Sequence, residues 1–182
     1  MDTDPLIRPY AYALGRFYHP QARIVDELGL SGGKVYADVA AIHAGGLHLI
    51  EIKSGRDSLA RLPRQVRHYS AAGSTCTLIA HPRHIERALK IIPPWWGLAE
   101  TGELSVAVLR PPRPNPELHL LTVVDLLWRD EMLALCRVHG CARGMSRATR
   151  RTLNRQLRLR VPPRLLVAEV AHTLRGRPEG WR

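Results

Sequence analysis

Residues 34–53 read KVYADVAAIHAGGLHLIEIK. Two apolar-rich runs flank HAGG at 43–46, a turn-forming stretch, so the segment predicts a β-hairpin with strands over 34–42 and 47–53. On the second strand Leu49, Glu51 and Lys53 share one face, and Ile50 and Ile52 take the other. The position of Asp38 depends on the turn. With Ala44-Gly45 as the two-residue turn, Asp38 lies opposite Glu51. With Gly45-Gly46 it lies opposite Lys53. Either register puts the three ionisable residues on one face, because directly paired residues share a face. A three-residue turn without a bulge would separate them.

Upstream, residues 1–20 contain Pro5, Pro9 and Pro20 among a Tyr/Phe cluster and predict one short helix at most. Residues 21–29, QARIVDELG, place Ile24, Val25 and Leu28 on one face with Glu27 at its edge, which predicts a short helix ended by Gly29. SGG at 31–33 is a turn. Downstream, Leu59, Leu62, Val66 and Tyr69 recur at helical spacing, and Pro63 can open that helix. TCTLIA at 75–80 predicts a strand, 82–92 a helix, PPWWG at 93–97 a rigid connection, and 104–109 a strand. PPRPNPE at 111–117 has four prolines in seven residues and reads as a linker. Residues 118–138, 146–160 and 164–175 predict helices. The order implies an α/β core over 1–110, a small mixed sheet flanked by helices, followed by a helical extension over 118–182.

The 182 residues suffice for one ordinary domain with a small appendage. No apolar run is long enough to span a membrane, and the acidic start MDTDPLIRPY lacks the basic and apolar regions of a secretory leader. A cytoplasmic protein is expected. Cys76, Cys136 and Cys141 form no CxxC pair; Cys136, His139 and Cys141 offer three ligands at spacings unlike a zinc finger, so buried thiols are expected. The charge is uneven. Residues 1–136 carry 15 basic and 14 acidic side chains, whereas residues 137–182 carry 12 Arg against two Glu. A polycationic segment attracts polyanions by counterion release, which points to nucleic acid, DNA first, and to Arg147, Arg150, Arg151 and Arg155. No strongly apolar face accompanies the charge, so a membrane partner is not expected. Homo-oligomer formation stays open.

Three converging charges on a mostly buried hairpin need compensation. Mg²⁺ prefers one or two carboxylates with water and substrate phosphate. Asp38 and Glu51, with the Ile52 carbonyl, could hold it, and Mn²⁺ could substitute. Lys53 would then stabilise negative charge developing on a phosphodiester. The chain uses 24 Arg and three Lys, which singles out Lys53: a compact, tunable ammonium is not interchangeable with guanidinium. Arg61 and Arg64 could grip phosphates beside the site, or be solvated helix charges. Trp95 and Trp96 fit a structural plug better than a stacking platform. No small-molecule cofactor motif is present. On spacing alone, Asp, twelve residues, then Glu-x-Lys is also compatible with ordinary surface ion pairs.

The flanking residues add a resemblance. Asp38, Glu51-Ile52-Lys53-Ser54 and Gln65-Val66-Arg67-His68-Tyr69 resemble the PD-(D/E)XK nuclease superfamily. Asp38 matches its metal-binding Asp, and Glu51 and Lys53 its (D/E)XK element. Gln65 and Tyr69 match the QxxxY signature of RecB-type members. Together VDELGL, ADVAAI, EIKSGRDSLARLPRQVRHYS and PPWWGL look like the sce-type family of small bacterial and phage proteins, over about residues 20–100. Tyr36 departs from the basic residue expected two positions before Asp38. The resemblance implies a restriction-endonuclease-like core and a Mg²⁺-dependent nuclease. Asp38, Glu51, Lys53 and Gln65 would be catalytic, Glu27 would reach the metal through water, and Tyr69 would contact nucleic acid. The competing readings are a catalytically silent nucleic-acid-binding protein on the same fold and a protein-interaction factor in repair or phage defence.

Overall fold

The computed structural model describes residues 3–181. Helix α1 spans Asp4–Tyr18, then strands β1 (Arg23–Leu30), β2 (Val35–His43) and β3 (Gly46–Lys53) follow. Helix α2 (Leu62–Ala72) leads to β4 (Thr75–Ala80), a single 3-10 turn, and the short α3 (Ile85–Leu89). Strands β5 (Gly97–Thr101) and β6 (Val106–Arg110) complete a six-stranded sheet in sequential order. The outer pairs are antiparallel, while β3–β4 and β4–β5 are parallel. The C-terminal helices are α4 (Leu120–Val124), α5 (Arg129–Val138), α6 (Arg150–Arg160) and α7 (Pro163–Arg175). The expected α/β class, with a mixed sheet flanked by helices and a helical C-terminal part, is what the chain adopts. No helix among the described residues is long and apolar enough to cross a membrane.

Three local expectations fail for identifiable reasons. Residues 21–29 are not a helix but supply most of β1. Val25 and Leu28 both join the main core, while Ile24 packs toward the core on the other side of the sheet. A regular strand would send Val25 and Leu28 to opposite faces. Between them Glu27 adopts a left-handed φ of 50°, which resets the alternation. Apolar residues three apart then share a face, imitating a helix. The same reset occurs across the ladder in β2: Val35 and Ala37, then Ala40 and Ile42, face the main core, with the phase changing at Asp38. Glu27 and Asp38 are the unpaired step between Asp26↔Val39 and Leu28↔Ala37.

The second miss is the N-terminal lead-in, a 15-residue helix with Pro5 in its first turn and Pro9 inside. Its burial of Ile7 and Ala11 against Val39, Ile50 and Ile52 outweighs the prolines. The third is β5, which follows the Trp pair directly. Gly97 permits it: a Cβ there would lie 2.6 Å from Thr77 Oγ1 on β4. The helix expected over 82–92 is also shorter, ending at Leu89.

The core has two parts. One lies between the sheet and α1. The larger lies on the opposite face, where Leu47, Leu49 and Leu78 meet α2 and the C-terminal helices. Leu153, Leu157, Leu166, Val170 and Leu174 belong to that same cluster. The Pro-rich stretch is tied down: the Asn115 side chain donates to the Ser70 and Gly73 carbonyls at 2.7 and 2.6 Å.

The hairpin closes through Ala44-Gly45, with His43 opposite Gly46 and Val39 opposite Ile50. Gly46 has φ 141°, and a Cβ there would sit 1.9 Å from Ser74 Oγ. Gly46→Ala should therefore lose roughly 1–3 kcal/mol of unfolding free energy. A urea midpoint unchanged from wild type would contradict this reading of the turn.

Candidate active site

The observed register places Asp38 opposite Glu51 in sequence, just beyond the last β2–β3 pair. The two strands part there, and the Asp38 carboxylate fills the gap: its Oδ2 accepts from the Ile52 N–H at 2.7 Å. Glu51 is fully buried, and Lys53 is 3% exposed. Lys53 Nζ donates to Glu51 Oε1, which also accepts from Gln65 Nε2 at 2.5 Å. Helix α2 supplies the remaining donor. Gln65 and Tyr69, one turn apart, both reach Glu51, the Tyr69 hydroxyl donating to Oε2. That hydroxyl in turn accepts from the Asp38 N–H at 3.1 Å. Tyr69 is thus a bridge between the two acidic residues.

Tyr69 is fully buried, so it does not meet nucleic acid as expected but positions Glu51. Its ring lies 5.7 Å from that of Trp96, whose indole N–H donates to Ser70. Trp95 and Trp96 are both buried, a plug behind the site. The cysteines are buried and free, as their spacing suggested.

A cleft of about 400 Å³ opens onto these groups, lined among others by Asp38, Glu51, Ile52, Lys53 and Gln65. Arg61, Arg64 and Lys34 stand at its basic side. Glu27 also lines it, from a strand instead of the expected helix. Sequence reading missed two contributors from α1. Asp4 lines the cleft. Arg8 bonds the Asp4 carboxylate at 2.6 Å, Asp26 at 3.1 Å, Glu27 at 3.3 Å and the Asp38 carbonyl at 2.7 Å. The Asp4/Arg8 i,i+4 spacing was the available signal, hidden by the prolines around it. Arg147, Arg150, Arg151 and Arg155 lie away from this cleft, on and just before α6. Arg150 donates to the Asp125 and Leu127 carbonyls, so it braces the fold.

Burial and the neighbouring Glu51 push the Asp38 carboxyl up to about 8, against the bond from Ile52 and the charge of Lys53. Burial also raises Glu51, opposed by Lys53, Tyr69 and Gln65. Burial and the two carboxylates hold the Tyr69 phenol well above its ordinary range, so it stays a donor. A divalent cation would relieve both carboxyls. Their hard oxygens suit Mg²⁺, which commonly takes one or two carboxylates and keeps water. Among the described residues no group of three or more His, Cys, Asp or Glu is placed to hold a metal ion; a Mg²⁺ site built on two carboxylates, water and substrate phosphate would not need one.

The family of bacteriophage P4 protein cII matches residues 13–177, a span that runs from α1 through α7. No curated protein matches. Among solved structures, the SPO1766 protein of unknown function from Silicibacter pomeroyi is similar at a TM-score of 0.45 and 17% identity, over 75% of this chain and 90% of its own.

Asp38 binds its proton more tightly in the fold than in the unfolded chain, where it titrates near the ordinary value of 3.8. Its contribution to stability is therefore complete below about pH 4 and is lost as pH rises through about 8. The histidines held below their ordinary value by burial act in the opposite sense only up to about pH 6.5, so in EDTA the fall in melting temperature between pH 7 and 9 should be shallower in Asp38→Asn than in wild type. Parallel profiles for the two proteins would contradict this assignment.

Proposed function

The chain belongs to the bacteriophage P4 protein cII family, and from the geometry of its own site we propose that it is a Mg²⁺-dependent nuclease of PD-(D/E)XK type, hydrolysing phosphodiesters in nucleic acid, DNA first. The observation that carries this is the convergence of Asp38, Glu51 and Lys53, with Gln65 and Tyr69 behind them, at the base of one cleft with a basic side.

Each residue then has a distinct task. Asp38 and Glu51, with the Ile52 carbonyl, would hold the cation, and Glu27 would reach it through water. When bound, Mg²⁺ supplies a more acidic water and charge neutralisation at the phosphate. Lys53 is buried and already aimed at Glu51, so its ammonium has little freedom. Set beside the phosphate, it stabilises negative charge that develops in the transition state. Gln65 and Tyr69 donate to Glu51 and keep its oxygens oriented; neither needs to touch substrate. Arg61, Arg64 and Lys34 neutralise phosphates at the mouth of the cleft. Glu51 also has a feature that suits a silent, binding-only protein: both its oxygens are engaged within the chain.

Cleavage distinguishes the two. A panel of single-stranded, double-stranded and branched DNA plus RNA, with Mg²⁺ or Mn²⁺, should show cutting by wild type. Asp38→Ala, Glu51→Ala and Lys53→Ala should abolish it or lower it by about 10²–10³-fold, with nucleic-acid binding retained. Tyr69→Phe and Gln65→Ala should lower it by about 10–100-fold, the usual effect of groups that orient a ligand. Equal cutting by wild type and Glu51→Ala would sink the nuclease reading. Binding without any cutting across the panel would establish the silent one.

A further inference from the structure

The polycationic C-terminal part does not hang free of the core. Helix α6 buries Leu153, Asn154 and Leu157 and turns its arginines outward. A second cleft, about 650 Å³, opens between this helix and the turn joining β1 to β2. Arg151, Arg155 and Arg158 line it from α6, and Ser31 and Gly32 from the turn. Its one acidic side chain, Asp125, accepts from Asn154 at 2.7 Å and so is partly satisfied within the fold. Asn154 also anchors Arg158, accepting from its Nε at 2.7 Å. Among the described residues the Arg151 and Arg155 side chains have no hydrogen-bond or ion-pair partner, and both residues are exposed.

The placement matters as much as the charge. The turn spans 31–34 between the two strands. Ser31 and Gly32 face the α6 cleft, whereas Lys34, with Val35 and Tyr36 just after it, faces the Asp38/Glu51 cleft. Helix α2 braces the turn from below: His68 bonds Ser31 at 2.9 Å, and Arg64 donates to the Lys34 carbonyl at 3.1 Å. Left-handed φ values at Ser31, Gly32 and Gly33 keep it tight. The two clefts are therefore neighbours across one narrow rigid turn, and positive side chains stand on both sides of it.

We propose that the α6 cleft is a second phosphate-backbone subsite, so that the ligand is an extended nucleic-acid strand gripped on both sides of the β1–β2 turn. Only the direction of the strand, toward the Asp38/Glu51 cleft, rests on the nuclease reading; the binding does not. Guanidinium groups suit this ligand because each can take two phosphate oxygens in parallel. The interaction carries no base readout and is tolerant of sequence.

The test uses the full chain and a labelled long oligonucleotide in EDTA, where nothing can be cut. Arg151→Ala/Arg155→Ala should weaken binding, and the slope of log K against log salt should fall by about 1 for each phosphate contact removed, so by about 2. Arg16→Ala/Arg113→Ala removes the same charge elsewhere and should leave the slope near that of wild type. Melting curves check that both double variants fold. With Mg²⁺ added, the α6 variant should show a raised KM on long strands, and the Arg16→Ala/Arg113→Ala control the wild-type KM. If wild type binds but never cuts, the binding loss still supports the subsite, while the nuclease reading fails. Wild-type affinity and slope in Arg151→Ala/Arg155→Ala would overturn the proposal, as would an equal loss in the control pair.

Discussion

A fully buried carboxylate, Glu51, is the constraint around which the site is arranged. An ion of that kind loses several kcal/mol of solvation even after relaxation, and the chain answers with three donors from two elements. Lys53 comes from the same face of β3, two residues on. Gln65 and Tyr69 come from α2, one turn apart. These bonds fix where α2 sits on the sheet, since a slide of one turn would strand the charge. Trp96 fills the space behind Tyr69 and hydrogen-bonds α2 through Ser70. Site and packing are thus one arrangement.

The neighbouring carboxylate is placed differently. Asp38 sits where β2 changes phase and leaves its ladder with both neighbours. On one side β2 and β3 part, and the Asp38 side chain replaces the missing backbone partner of Ile52. On the other, Glu27 takes a left-handed conformation, uncommon for a residue with a Cβ. Arg8 holds that break from α1, bonding the Asp38 carbonyl and three carboxylates. Local strain of this sort persists only when the surroundings over-determine it. Here they do, through a helix on one face and a tyrosine on the other.

Charge and packing in the C-terminal helices are compatible because they occupy different sides of each helix. Leu153 and Leu157 enter the main core, while Arg151 and Arg155 stay in water. Near the end of the chain, Arg177 departs furthest from this division. It lies between Trp128 and Trp181, 4.2 Å from each ring, and pairs with Glu131. An arginine so enclosed is structural. Counting basic residues in the sequence could not separate it from those that face solvent.

The sequence by itself determined what depends on near neighbours. The 43–46 turn and its flanking runs specified the hairpin, parity put Glu51 and Lys53 on one face, and helical spacing put Gln65 and Tyr69 together. The strand at Thr75–Ala80 and the C-terminal helices were legible for the same reason: their periods are regular and short-ranged. Only the tertiary structure decided the rest. Ala44-Gly45 and Gly45-Gly46 were equal candidates until the packing of Gly46 beside Ser74 made one of them the turn. Residues 23–30 are a strand because Glu27 breaks the alternation opposite Asp38, and that break is sustained by Arg8, far away in the chain. The α6 arginines lie beside the β1–β2 turn because apolar faces 120 residues apart share one core. Periodicity records which way a side chain points relative to its neighbours; it holds no record of contacts between distant segments, and those complete the site.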